Sequence, residues 1–181
     1  LVGPLADLLE QLGVHWRAMA EPASPIVWGA RLRALLRDFF EAADPELAAT
    51  RSNRSLIEYY FTCTPAWLLH VLGREGSSEW VTYLDGDLFF FDSPEAIFGE
   101  LANAAFAIIP HRYAAAIQHM RKYGIYNVGW VGAQNGPDGL AAVRWWRQSC
   151  IEWCYDHVDG DRFADQGYLQ VLAARFPRVK V

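Results

Sequence analysis

Apolar positions recur along this chain in two rhythms, one helical and one extended, and the two alternate. Residues 4–12 (PLADLLEQL) repeat apolar side chains at helical spacing, and Gly13 stops the run. Residues 14–19 (VHWRAM) suit a short strand. Residues 26–41 suit a helix whose stripe runs through Leu32, Leu35, Leu36 and Phe39, with arginines between. Asp44-Pro45 opens a further short helix. Residues 55–72 are apolar and aromatic, and Pro65 is expected to divide them into two helical pieces or to open the second. The β-rich run 80–84 (WVTYL) ends in Asp85-Gly86-Asp87 and is followed by Leu88-Phe89-Phe90-Phe91. Asp92-Ser93-Pro94-Glu95 starts a helix over 94–102. Residues 104–109 read as a buried strand closed by Pro110, 112–122 as a helix and 126–133 as a strand. A turn at 135–139, a long helix over 140–157, a turn at 159–161 and a helix over 163–174 complete the pattern.

Strands alternating with helices, each strand a continuous apolar run, predict an α/β fold with a mainly parallel sheet covered on both faces. The length of 181 residues suits one domain over 1–181. With 52% hydrophobic residues the chain can bury a core, and the net charge of -5 argues against nucleic acid as the main partner. The three cysteines, Cys63, Cys150 and Cys154, form no disulfide framework. Cys150 and Cys154, one helical turn apart, are expected to be small buried residues. No apolar run approaches the ~18 residues of a transmembrane span. The expected location is the cytoplasm, the inner face of its membrane included.

Asp85 and Asp87 carry the candidate chemistry. They stand at the C-terminal end of a buried strand, where ligands bind in open α/β sheets. Two carboxylates one residue apart can converge on one hard cation, Mn²⁺ or Mg²⁺, with Gly86 easing the turn. Such a cation offsets charge on a departing diphosphate. A bare Asp-Gly-Asp is equally a simple turn, and the chain holds its own control. Asp159-Gly160-Asp161 has the same letters but lies between helices with no strand before it, and reads as a turn.

VTYLDGDLFFF resembles the metal-binding segment of the GT-A glycosyltransferases. YNVGWVGAQN resembles the Asn-x-Gly strand of their family 8-like members, and DGDRFADQGYLQ their later Asp-Gln helix. The three occur in the family's order, and RSNRSLIEYYFTCTP is similar to a segment of bacterial relatives. The resemblance covers roughly residues 45–180. It implies a GT-A fold and transfer of a sugar from a nucleotide-diphosphate donor to a saccharide or other hydroxyl acceptor, with retention at the anomeric carbon. Position by position, it implies Asp85 and Asp87 as metal and diphosphate ligands. Asn127 and Gly129 fall on the strand lining the sugar and acceptor side. Asp165 and Gln166 match the catalytic pair that contacts the transferred sugar, and Arg54 a basic residue near the donor.

Two departures from that family bear on completeness. No strand for the nucleotide base precedes residue 14, and no later histidine segment supplies a third metal ligand before Val181, so a core truncated at both ends is expected. His111-Arg112 after Pro110 is a candidate phosphate contact or a solvated loop. Glu58 is expected to pair with Arg54 across one helical turn. Trp130 is a candidate sugar-stacking residue or a core side chain. His15, His70, His119 and His157 show no ligand spacing. Two other functions fit less well. A phosphatase-type enzyme usually has a small Thr or Val two residues after the second Asp, where this chain has Phe89. A non-catalytic nucleotide-sugar-binding module is the other reading.

Overall fold

The computed structural model describes residues 42–74, 79–86 and 88–181. The expected elements at 4–12, 14–19 and 26–41 lie outside the described residues, as does Asp87. The chain divides into two compact units, Leu1–Pro45 and Glu46–Val181.

The second unit is mixed α/β. Its elements are α1 (Pro45–Thr50), α2 (Leu56–Leu72), β1 (Trp80–Leu84), α3 (Glu95–Glu100), β2 (Phe106–Pro110), 3₁₀ turns over Ala115–Tyr123, β3 (Tyr126–Gln134), α4 (Pro137–Glu152), α5 (Tyr168–Arg175) and β4 (Val179–Lys180). The strand order is β1-β3-β2-β4. β3 is antiparallel to both β1 and β2, and β4 is parallel to β2. The sheet is therefore mixed rather than mainly parallel: β1, β2 and β4 share a direction, and β3 runs against them. The cause lies in the β2–β3 connection. Residues 115–123 form 3₁₀ turns rather than the expected helix, and none of them is buried. They offer no stripe to pack on the sheet, and a parallel neighbour needs such a crossover. The apolar run of β3 reflects cover on both faces, which says nothing about direction.

α2 is one helix, not two pieces. A capping box starts it: Ser55 N–H donates to Glu58 Oε2 (2.7 Å), and Glu58 N–H to the Ser55 hydroxyl (3.4 Å). Pro65 sits inside it and removes the donor for the Phe61 carbonyl, at a cost of ~3 kcal/mol. Packing offsets this, since Leu68 and Leu72 join the main core, and each fully buried side chain of that size contributes ~1.5–3 kcal/mol. α4 starts at Pro137, with Gly136 as N-cap, inside the stretch expected to be a turn. A Cβ on Gly139 would overlap the Gln134 and Ala105 carbonyl oxygens, so only glycine lets the helix sit this close to the strand ends. α4 ends at Glu152, short of the expected 157, as Trp153 turns extended. The Trp153 carbonyl then accepts from the Tyr168 hydroxyl at 2.7 Å.

The core fills one face of the sheet. Phe106, Ile108, Val131 and Ala133 pack against Leu68 and Leu72 of α2, Val143 and Trp146 of α4, and Leu169 and Leu172 of α5. Phe106 and Trp146 meet edge to face, 6.2 Å between centroids. The other face carries a smaller cluster of Leu101, Ala104, Ala107 and Trp130. Cys150 and Cys154 are buried with free thiols, as expected, although Cys154 lies just past α4.

Candidate functional site

Strand periodicity carries the sheet from core to cleft. Val81 packs against the main core, so Tyr83 and Asp85, two and four residues on, fall on the same helix-covered side. β1 pairs with β3 as far as Leu84 opposite Trp130, and Asp85 N–H donates to the Gly129 carbonyl at 2.9 Å. On its other edge β3 breaks register between Ile108 and Ile109, which pair with Val131 and Asn127. Residues 128–130 thus leave the β2 ladder, an irregularity of the kind that re-aims side chains beside functional sites.

Beyond the core, on this side, lies a cavity of about 340 Å³. Asp85, Asn127 and Gly129 line it from the sheet, and Ala164, Asp165 and Gln166 from the turn before α5. Tyr60, Phe61 and Thr64 of α2, Tyr83 and Phe163 complete the wall. Two segments more than thirty residues apart, at 127–129 and 163–166, thereby meet at Asp85. A larger cavity of about 430 Å³ lies elsewhere, lined by Leu88, Phe90, Ile97, Ile108 and Trp130. It is mainly apolar and shares no lining residue with the first, so the convergent polar groups single out the smaller one.

Asp85 is exposed at the strand end, and its Oδ1 accepts from the Tyr83 hydroxyl at 2.9 Å. The phenol's burial and that carboxylate both push the Tyr83 pKa well up. Asn127 Oδ1 accepts from Gly129 N–H at 2.7 Å. A Cβ at Gly129 would stand 3.0 Å from Asn127 Oδ1 and 3.1 Å from Asp85 Oδ2, so glycine is what lets these two oxygens approach over one patch of backbone. Asp165 is only 3% exposed. Burial, with a smaller contribution from the Asp85 charge, raises its pKa to about 7 against the hydrogen bond from Thr64. The Trp146 indole N–H donates to the Asp165 carbonyl at 2.9 Å, fixing the turn to α4. Ala164 before it has φ 46°, a left-handed conformation that a non-glycine residue adopts at a cost. Gln166 Nε2 donates to the Tyr123 carbonyl (2.8 Å), and its Oε1 lies 2.9 Å from His111 Nε2, which must then carry the proton.

The structure brings Asp85, Asn127, Gly129, Asp165 and Gln166 to one cavity, with His111 behind Gln166. It places Arg54 and Trp130 elsewhere. Trp130 points to the opposite face of the sheet, where Leu101 and Ala107 pack on it. The Arg54 guanidinium lies 3.9 Å over the Tyr155 ring and donates to the Ile151 carbonyl (3.3 Å). Glu58, expected to pair with Arg54, caps α2 and accepts from Asp156 N–H (3.0 Å). That backbone bond is the main reason its pKa is lowered, with Arg54 a minor contributor. The two side chains thus clamp the chain leaving α4 onto the start of α2. The aromatic wall was not singled out from the sequence. Tyr60, Phe61 and Thr64 sit in an apolar helical run where such residues ordinarily read as core, and the only signal is that Tyr60 and Thr64 share a face at i,i+4.

The donor set around Asp85 is hard oxygen: a carboxylate and the Asn127 amide oxygen, meeting over Gly129. Such oxygens suit Mg²⁺ or Mn²⁺, and Mg²⁺ is often held by one or two carboxylates with substrate phosphates completing the sphere. Among the described residues no three His, Cys, Asp or Glu side chains gather to hold a metal ion, and Asp87 is outside them. Among the described residues, too, no helix is long and apolar enough to cross a membrane.

Two proteins of Bacillus subtilis (strain 168) are similar to this chain. Uncharacterized protein YfnD is 38% identical over 144 residues, 78% of this chain and 46% of its own length. Uncharacterized protein YfnF is 32% identical over 140 residues, 74% of this chain and 46% of its own. The chain spans about half the length of these curated relatives. A family model described as the RecBCD enzyme subunit RecC fourth domain matches residues 1–67, which reach into α2 but stop short of the sheet. No solved structure matches.

Proposed function

We propose that residues 46–181 form the donor-binding part of a metal-dependent glycosyltransferase of the GT-A kind, taking a nucleotide-diphosphate sugar and passing the sugar to a hydroxyl acceptor. One observation carries this reading. Asp85 at a strand end, Asn127 and Gly129 on a second strand, and Asp165 with Gln166 on a distant turn converge on one cavity. These are five of the positions at which the sequence resembles that family, Arg54 lying apart on Tyr155, and a chance set of short motifs has no reason to meet in space.

Asp85 and, by the resemblance, Asp87 would hold Mn²⁺ or Mg²⁺, which supplies positive charge against a departing diphosphate. The chain's own groups then divide the work. Tyr83 orients the Asp85 carboxylate through its hydroxyl. Gly129 leaves the backbone bare where ligand and carboxylate meet. Asp165, with its pKa at about 7, can donate to or accept from a hydroxyl near neutral pH. Gln166, locked by Tyr123 and His111, presents a fixed amide edge.

The test is a thermal-shift screen of nucleotide sugars with and without Mn²⁺. A donor at 100 times its dissociation constant should stabilise the chain by ~2.7 kcal/mol, and only with metal present. No stabilisation by any nucleotide sugar in either condition removes the reading.

A further inference from the structure

The cavity has two unlike walls. One is aromatic: Tyr60 and Phe61 from α2, and Phe163 from the turn before α5. Phe163 is braced by Tyr123, 4.8 Å between ring centroids, and the Tyr123 carbonyl is the one that fixes Gln166. A single loop therefore sets both an aromatic and a polar group. The other wall is polar and free of cations: Asp85, Asn127, Asp165 and Gln166, with no lysine or arginine among the lining residues described. Basic groups beside the lining residues are committed elsewhere, Arg162 next to Phe163 being paired with Asp159. His111 holds Gln166 through Nε2, and Arg54 lies on Tyr155.

A pyranose ring matches this pairing. Its C–H face is apolar and packs on aromatic rings, while its hydroxyls need carboxylate and amide partners. Resting on the glycosyltransferase reading, we infer that this cavity takes the sugar of the donor, and takes it as a neutral or amino sugar while rejecting a uronic acid. A second carboxylate placed here would face Asp165 in a buried setting with no lysine or arginine among the described lining residues to pair it, while a metal at Asp85 is taken up by the diphosphate, and buried like charges are strongly unfavourable. Rejection of this kind is a repulsive element built into the wall and needs no added contact to the favoured sugar.

The experiment measures binding to the full chain with Mn²⁺ by calorimetry, using matched sets of probes: UDP, UDP-glucose and UDP-glucuronate, then GDP, GDP-mannose and GDP-mannuronate. The hexose should bind at least tenfold more tightly than its uronate in whichever set is accepted. Tyr60→Ala and Phe163→Ala should each cut the advantage of the hexose over the bare diphosphate by about fivefold, leaving diphosphate affinity unchanged. Tyr60→Phe and Phe163→Tyr keep the rings and should keep the advantage, which separates stacking from misfolding. Equal or tighter binding of the uronate, or an undiminished advantage in folded alanine variants, overturns this inference and leaves the donor reading standing. Failure of every diphosphate and every sugar to bind overturns that reading as well, and this inference with it.

Discussion

The chain spells Asp-Gly-Asp twice, and the two copies live in different physical worlds. At the second, Gly160 takes φ 60°, Asp159 and Arg162 form a small antiparallel bridge, and the Arg162 guanidinium pairs with the Asp159 carboxylate. The turn pairs its first carboxylate within itself. At the first, Asp85 ends a strand, its carboxylate has only the neutral Tyr83 hydroxyl as a hydrogen-bond partner among the described residues, and it faces a cavity with a second carboxylate in range. Identical letters thus give a closed turn in one place and an open acidic site in the other. What separates them is the strand before and the arginine three residues after.

Six substitutions test that contrast. Asp85→Ala should lower Mn²⁺-dependent donor affinity more than 100-fold, about 2.7 kcal/mol, with the fold intact by circular dichroism. Asp159→Ala should change it less than twofold. Equal losses at both sites would erase the distinction.

Asp165→Asn tests the buried carboxyl beside the open copy. Its folded pKa of about 7 lies above the unfolded 3.8, so the folded state binds more protons in between, and stability falls as pH rises through that window. Three pH units correspond to ~4 kcal/mol, and hydrogen bonds that Asn keeps only in part reduce the gain to ~2 kcal/mol. Denaturant titrations should therefore show the variant more stable than the native chain at pH 8, and no more stable at pH 4.

The two glycines should fail differently. Gly129→Ala puts a Cβ 3.0–3.1 Å from Asn127 Oδ1 and Asp85 Oδ2, and should weaken donor binding about tenfold at little cost to stability. Gly160→Ala meets nothing within 4 Å, but its φ of 60° disfavours any Cβ, so it should cost ~1 kcal/mol of stability and no affinity. Smallest of all, Arg162→Ala removes an exposed ion pair and should cost under ~1 kcal/mol in urea.

Part of this was legible in the sequence. β1 runs over the residues its β-rich composition predicted, and the second Asp-Gly-Asp is the turn its context implied. Motifs short enough to doubt singly marked residues that do meet. What escaped depended on the partner rather than on the residue. The direction of β3 follows from how residues 111–125 return the chain, which apolar content does not encode. Pro65 did not break α2, because core packing on its far side outweighed the lost bond. Trp130 went to the far face through the one-residue offset from Gly129, and Arg54 was captured by Tyr155, a residue 101 positions away.

The walls of the cavity reach from Tyr60 to Gln166, and no two of its segments are joined by a short loop. Chain closure over such separations comes late, because its entropy must be overcome before any contact rewards it. Ligand affinity is therefore a property of the finished topology. A chain with α2 and the first strands in place but the turn before α5 still loose would hold secondary structure and bind nothing. In stopped-flow refolding, recovery of donor binding should lag recovery of helical signal, which makes the site itself a clock for the last step of folding.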